Sequence, residues 1–320
     1  MSDHYNFPIL TIICIVYNHA EYLRQTIEGF INQETRFGYE ILIHDDASTD
    51  GSVEIIKEYQ GKYPDKIKAI LQKENQYSKG IRIFDIISKH VKSKYIAFCE
   101  GDDYWSNKRK IERQVDFLEK NCEYSGSTHN TIIIGNDGLQ IGKMCEWEED
   151  RDIAELNPML FFPHTSSYIL RNPWVVKDKE WKKYVKYIKG WDKNFAIYMI
   201  KTGKVRYFKE EYSCYRCITQ RGVSVSCMET QYNMTKKRVA SEFDLYYQLK
   251  AYDMLGKKKS FYCDHYYQNV YVYSIRKMMK TPSLENLELI IYGIKESPYP
   301  FGTFLGYLLR KFIKKQDRKI

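Results

Sequence analysis

The chain has 320 residues, is 43% hydrophobic and 28% charged, and carries 50 Lys and Arg against 41 Asp and Glu, a formal net charge of +9. Such size and apolar content exclude a small stapled peptide and a disordered chain, and predict a globular protein of one large domain or two smaller ones. The positive surplus favours acidic company, whether phosphorylated ligands, anionic lipid or nucleic acid, and by itself chooses none of them.

In chain order, Ile9 to Val16 is a continuous apolar run of buried-strand length, and Ala20 to Gln33 follows with Leu23, Ile27, Phe30 and Ile31 at helical spacing. Tyr39 to His44 is a second strand. The turn and cap residues Asp45 to Ser52 then lead into a helix carrying Val53, Ile56 and Tyr59. Ile67 to Leu71 reads as a third strand, Ile81 to Val91 as a helix, and Lys94 to Cys99 as a fourth strand that stops at Glu100-Gly-Asp-Asp103. Another helix carries Ile111, Val115 and Leu118. From Ser127 the pattern changes: Thr131 to Gly135, the turn Asn136-Asp-Gly138 and Leu139 onward predict a hairpin. A loop rich in Glu, Asp and Asn from about Glu146 to Pro158 comes next, with short strands at Ser167 to Leu170 and Val205 to Lys209 and a helix at Trp191 to Lys201. Beyond about Thr230 the pattern is helical.

Strands alternating with amphipathic helices predict an α/β fold, a mostly parallel sheet flanked by helices, with a helical C-terminal extension. Ligands of such sheets bind beyond the carboxyl ends of the strands. Asp45-Asp46 and Asp102-Asp103 both fall at predicted strand ends, and Tyr17-Asn18 falls at a third. Two adjacent carboxylates repel each other, and a divalent cation is the natural compensation; hard oxygen ligands suit Mg2+ or Mn2+. Taken singly, each acidic pair also reads as a helix cap or an exposed turn. Three loops on one sheet edge favour a nucleoside diphosphate site.

Four blocks, Ile12 to Leu23 (IICIVYNHAEYL), Glu40 to Ser52 (EILIHDDASTDGS), Glu74 to Gly80 (ENQYSKG) and Tyr95 to Trp105 (YIAFCEGDDYW), together resemble the family-2 glycosyltransferases of bacterial capsule and lipopolysaccharide synthesis, inverting enzymes of the GT-A fold. The resemblance thins toward Ser224. It implies a glycosyltransferase domain over residues 1–225, with a nucleotide-binding half to about 125 and an acceptor-binding half from about 126, and a helical region over 226–320. It also implies metal-dependent transfer of a sugar from a nucleotide-sugar, most simply a UDP-sugar, to a glycan or lipid-linked acceptor. Tyr17, Asn18 and Glu21 would border the nucleotide, Asp46 would bind the base, Asp102 would face the ribose or metal shell, and Asp103 would hold the metal. Gly190-Trp-Asp192 resembles the motif whose acid is the catalytic base, which assigns that role to Asp192; the plain alternative is a helix N-cap. His164, in Phe162-Pro-His-Thr-Ser-Ser167, would touch the diphosphate or acceptor. Where many relatives carry a His two residues after the Arg of a Tyr-Arg segment, this chain has Ile218, which leaves Arg216 or Arg221 as phosphate partners.

Two rival classes remain at this stage. Gly-Asp-Asp also occurs in two-metal nucleotidyl and polymerase sites, which predict a hairpin around it, and a non-catalytic nucleotide-binding assembly protein would not need Asp192. Cys214-Tyr-Arg-Cys217 with Cys227 and Cys263 lacks a second pair at zinc spacing, so all eight cysteines read as free thiols in a reducing cytoplasm. Residues 1 to 6 lack the features of a secretory signal, and no apolar run reaches the roughly 18 residues of a membrane span.

Six cations, Arg310, Lys311, Lys314, Lys315, Arg318 and Lys319, lie beside an apolar stripe that begins at Phe301 and Phe304 and ends at Phe312 and Ile313. That pattern suits a helix lying on an anionic membrane surface, here the inner face of the plasma membrane; packing on its own domain or on a second copy in a homodimer is the alternative. The charge therefore argues for a membrane position more than for nucleic acid.

Overall fold

The computed structural model describes residues 8–135, 137–153, 163–176, 181, 191–217 and 282, the side chains of 193 and 197 excepted. The chain divides into two units, Met1–Ile218 and Thr219–Ile320, and the first is described below. Arg221, Cys227, Cys263, the helices expected beyond Thr230 and the basic tail at 301–320 lie outside the described residues.

Strand β1 (Leu10–Val16) pairs in parallel on both sides, with β2 (Tyr39–Asp45) and β4 (Tyr95–Glu100), and all its side chains but that of Ile15 are buried, which is why its sequence is apolar but for Thr11. Strand β3 (Ile67–Leu71) extends the parallel set beyond β2. Helix α1 (Ala20–Ile31) buries Leu23, Thr26, Ile27 and Phe30, and α2 (Ser52–Lys62) buries Ile55, Ile56 and Tyr59. These side chains share one core with Leu10, Ile12, Cys14 and Val16 of β1, and with Ile111, Val115 and Leu118 of a later helix. Cys14 and Cys99 are buried free thiols, as expected.

The helix expected over 81–91 is shorter: α3 spans Ile83–Ile87. Its apolar residues Ile83, Phe84, Ile87 and Val91 are still buried, because the chain leaves the helix through three-residue closures, Lys89 N–H to Ile86 O and His90 N–H to Ile87 O, that keep the same face inward.

After β4 comes the two-residue β5 (Tyr104–Trp105), then α4 (Lys110–Lys120), β6 (Tyr124–Ile134), β7 (Gln140–Lys143), β8 (Arg151–Ile153), a 3-10 turn (Thr165–Ser167), β9 (Ile169–Arg171), α5 (Trp191–Thr202) and β10 (Lys204–Arg216). The sheet runs β3-β2-β1-β4-β9-β6-β10-β5, with β7 on β6 and β8 on β10. Its first four strands are parallel. Beyond β4 the pairing is mixed: β9 lies antiparallel to both β4 and β6, β10 is parallel to β6, and β5, β7 and β8 are antiparallel to their neighbours. The expected hairpin exists as β6 and β7. Strand β10 is far longer than the five residues its sequence suggests, because register shifts around Phe208, Glu211 and Ser213 break the inside-outside alternation and let Lys209 and Glu210 interrupt the apolar pattern. Strand β5 pairs with β10 and not with β4, so the acidic turn is not the tip of a two-stranded hairpin.

Gly29 of α1 lies directly on β5. A Cβ built there would stand 2.9 Å from the Trp105 carbonyl oxygen and 3.1 Å from its nitrogen, both backbone atoms that cannot swing aside. Gly29→Ala should therefore lower the urea midpoint, a net loss of about 1–3 kcal/mol from overpacking despite Ala being the better helix former.

Candidate active site

Three strand ends meet at one edge. Asp46 N–H donates to Val16 O and Gly101 N–H to Ile15 O, both at 3.0 Å, so the loops after β1, β2 and β4 leave the sheet side by side. Gly101 fits closely here: a Cβ would meet His19 Nδ1 at 2.8 Å and Val16 Cγ2 at 3.0 Å, so a larger residue would have to displace those side chains.

The first two loops are laced together. Asn18, at φ 58°, occupies a left-handed conformation that Asn tolerates. Its amide donates to Ser48 Oγ at 2.9 Å, and its Oδ1 accepts from Thr49 N at 2.8 Å. Asp50 satisfies the first amide of both α1 and α2, accepting from Ala20 N at 2.8 Å and from Ser52 N at 3.1 Å. Ala47 is also left-handed, at φ 66°, a conformation that costs a residue with a Cβ about 1–2 kcal/mol and marks a loop whose shape is imposed by its surroundings. Tyr17 projects from the end of β1 with 41% of its surface exposed, and Glu21 lies exposed in the first turn of α1.

Asp46 is buried, and each of its carboxylate oxygens accepts a backbone N–H from the loop after β3: Gln76 N at 2.7 Å and Tyr77 N at 3.0 Å. The carboxylate expected to meet a base thus also holds the segment around Tyr77, whose side chain is 77% exposed. Asp45 turns back instead, accepting from Ser48 N at 2.9 Å.

The acidic turn after β4 gathers Glu100, Asp102 and Asp103, with ligand-capable oxygens all within 4.8 Å of one another. Thr26 Oγ lies 2.9 Å from Gly101 O and 2.5 Å from Asp103 O, fastening the turn to α1. Asp103 Oδ1 accepts the backbone N–H of Arg216 at 3.0 Å. Asp103 Oδ2 and Asp102 Oδ1 are buried with no hydrogen-bond partner. Burial, with Asp102 and Glu100 alongside, pushes Asp103 well above the ordinary carboxylate range, and burial with Asp102 and Asp192 pushes Glu100 up to about 8. Two orphaned carboxylate oxygens in a crowded anionic turn fit a hard divalent cation, with Asp103 and Asp102 the residues best placed to hold it.

Asp192 stands half-buried in the first turn of α5, near enough for its charge to raise both Glu100 and Tyr168. Its neighbour Trp191 packs on Phe84 and Phe98, with ring centroids 5.1 and 5.4 Å away. Phe195, one turn on, packs on Phe98 at 4.5 Å. The helix bearing Asp192 is thereby keyed to β4, the strand bearing the acidic turn.

His164 also reaches this edge. Its Nδ1 lies 3.7 Å from Asp103 Oδ2, its ring packs on Tyr215 at 4.4 Å, and burial pushes it down to about 4, so it is neutral at pH 7. Arg216, expected as a phosphate partner, also lies at this edge. Its amide meets Asp103, while its guanidinium pairs with Gln25 and lies over Tyr22 at 4.7 Å and Tyr104 at 5.1 Å.

Sequence reasoning missed Thr26, Asp50 and His19, whose Nε2 lies 3.8 Å from Asp102 Oδ2. Thr26 had a readable signal: it is a polar residue on the apolar stripe of Leu23, Ile27 and Phe30. Among the described residues, no helix is long and apolar enough to cross a membrane.

Residues 11–172 match the family described as Glycosyl transferase family 2. The chain is 34% identical over 166 residues to the Mycobacterium tuberculosis protein Rv1520, a stretch covering 51% of this chain and 47% of that one. It is 37% identical over 133 residues to EpsE of Bacillus subtilis, a protein named as a glycosyltransferase, covering 42% and 46%. The chain thus spans about half the length of these curated relatives. Its fold is similar to that of Staphylococcus aureus TarS, residues 1–349, solved with UDP-GlcNAc (TM-score 0.62, 14% identity, 90% of this chain and 81% of that one). It is also similar to the Pyrobaculum calidifontis mannosyltransferase PcManGT, solved with GDP-Man and Mn2+ (TM-score 0.53, 12% identity, 98% and 88%).

Proposed function

The chain belongs to glycosyl transferase family 2, and from that premise we propose that it transfers a sugar, with inversion, from a nucleotide-sugar to a hydroxyl of a glycan or lipid-linked acceptor in cell-surface polysaccharide synthesis. The observation that carries this reading is the meeting of three loops at the β1, β2 and β4 ends, with two orphaned carboxylate oxygens in the last of them. In this reading Tyr17, Asn18 and Glu21 border the nucleotide. Asp46 meets the base while holding the loop of Gln76 and Tyr77. Asp102 and Asp103 hold Mn2+ or Mg2+, which when bound offsets the charge of the diphosphate leaving group. Asp192 accepts the proton of the acceptor hydroxyl as that oxygen attacks the sugar from the face opposite the diphosphate. The neutral His164 imidazole is a hydrogen-bonding partner for the diphosphate or the acceptor.

UDP is the proposed nucleotide, supported by the TarS likeness, and the GDP-Man neighbour makes GDP-sugars the second candidates. A peripheral position on the inner face of the plasma membrane, through residues 301–320, is proposed from the sequence pattern of that tail. A two-metal polymerase reading loses its support in the fold, since β5 leaves the acidic turn to pair with β10. The test is a panel of UDP-, TDP- and GDP-sugars assayed with Mn2+ or Mg2+ for release of the nucleoside diphosphate. At least one should be turned over in a metal-dependent way; turnover of none would overturn the reading.

A further inference from the structure

Against Trp105, two residues after Asp103, lies a buried polar group that the proposed chemistry leaves without a task. Lys110, the first residue of α4, is completely buried. Lysine is almost never fully buried without an ionic partner, because the ammonium loses its hydration. The titratable groups near it are the Cys99 thiol of β4 and the His129 imidazole of β6, both held neutral by burial. Filling space would be done as well by Met or Leu. What Lys110 supplies is a donor at a defined point: Nζ lies 4.1 Å over the Trp105 ring and donates to Gln114 Oε1 at 3.0 Å.

Both of those partners hold the same short segment. Trp105 Nε1 donates to Ser166 O at 2.9 Å, and Gln114 Nε2 donates to Ser167 O at 2.9 Å and to Ser127 Oγ at 3.2 Å. These carbonyls belong to the single 3-10 turn Thr165–Ser167 that follows His164, too short to satisfy its own last acceptors. Lys110 also decides which way the Gln114 amide faces. A donor at Nζ takes the Oε1 side, so the NH2 side is left for Ser167 O. Lys110 and Gln114 are four residues apart, one turn of α4, and so stand on the same inward face.

We propose that Lys110, Gln114 and Trp105 form a buried bracket that positions the turn Thr165–Ser167, and with it His164, against Asp103, making Lys110 and Gln114 positioning residues for the transfer. The proposal rests on the reading that a diphosphate meets this edge, and it adds two residues of α4 that touch neither substrate nor metal. One end of the bracket is Trp105, two residues after Asp103, and the other is the His164 turn. It therefore ties the acidic turn to the loop that faces it.

Gln114→Glu is the sharpest test, since it keeps size and the contact with Lys110 while removing the N–H that holds Ser167 O. The His164 ring resonances, identified by their loss in His164→Gln, should move in Gln114→Glu while those of His44 and His90 stay. Turnover of the nucleotide-sugar should fall on the order of 10- to 100-fold, as expected of a small misplacement remote from the chemistry. In a His164→Ala background the same substitution should cost nothing further. Unchanged His164 resonances in Gln114→Glu, or in Lys110→Met where the first variant does not fold, would overturn the bracket, and so would full additivity with His164→Ala. Movement of those resonances in a protein that turns over no nucleotide-sugar would leave the bracket standing and overturn the glycosyltransferase reading instead.

Discussion

Asp192→Asn should lower turnover of the nucleotide-sugar and acceptor by on the order of 10²–10⁴-fold while leaving nucleotide affinity within about twofold, because removing a general base withdraws its contribution from the transition state alone. The substitution separates two roles for the same residue. Asn caps a helix as well as Asp does, so a merely structural Asp192 would tolerate the change. A base would not, since the amide cannot accept the hydroxyl proton. The location supports the second role: Asp192 lies inside the first turn of α5, its charge reaches Glu100, and Trp191 and Phe195 fix the helix on Phe98 of β4. Steady-state kinetics with the donor identified by the panel, together with calorimetric titration of the nucleotide, give both halves of the comparison. Retained turnover in Asp192→Asn would remove Asp192 from the chemistry.

Asp103→Asn should have an effect of similar size on turnover, on the order of 10²–10³-fold, and an opposite effect on the stability of the metal-free protein. The side-chain oxygen that accepts the Arg216 N–H can be kept by Asn, whereas a carboxyl whose charged form is disfavoured by burial and by Asp102 and Glu100 is removed. The pH dependence follows from burial of Glu100 and from the neighbouring charges of Asp102 and Asp192. Glu100 has its folded-state value raised from 4.5 to about 8. Between those values the folded chain binds a proton that the unfolded chain has released, so the stability of the metal-free protein falls as pH rises from 4.5 toward about 8. The contribution is fully present below 4.5 and is lost above about 8. A divalent cation should raise the melting temperature most at the upper end of that window, and Asp103→Asn should melt higher than the native chain without metal while gaining little from it. Melting curves at several pH values, with Mn2+ and with chelator, check this; a metal-free stability that rises across the window would contradict the account.

The parallel half of the sheet was legible because strands buried on both faces are mostly apolar, and β1, β2 and β4 each carry a run of apolar residues, with the polar residues of β2 and β4 at their ends and Thr11 the one polar residue in β1. The acidic pairs at their ends were legible because the α/β rule places ligands there, and the structure brings those ends together. What escaped lay where the chain serves tertiary demands that no local pattern encodes. Strand β10 is broken by register shifts, β8 is three residues inside a charged segment, and β5 is two residues long. In the site, the sequence supplied the residue types, but their tasks came from neighbours distant in the chain. Asp46 holds Gln76 and Tyr77 across thirty residues, and the Arg216 backbone, not its guanidinium, meets Asp103. Lys110 drew no attention at all, because a lysine at the start of a helix ordinarily lies in water, and only packing against Trp105 and Gln114 buries it.

In the proposed reading a nucleoside diphosphate binds at the β1, β2 and β4 ends through a divalent cation on Asp103. Calorimetric titration of UDP into the full chain, with Mn2+ and then with chelator, tests it most directly, with GDP as the second nucleotide. The account predicts one-to-one binding with Mn2+ that disappears on chelation and is lost in Asp103→Asn. Equal affinity with and without metal, or no binding of either nucleotide, would contradict it.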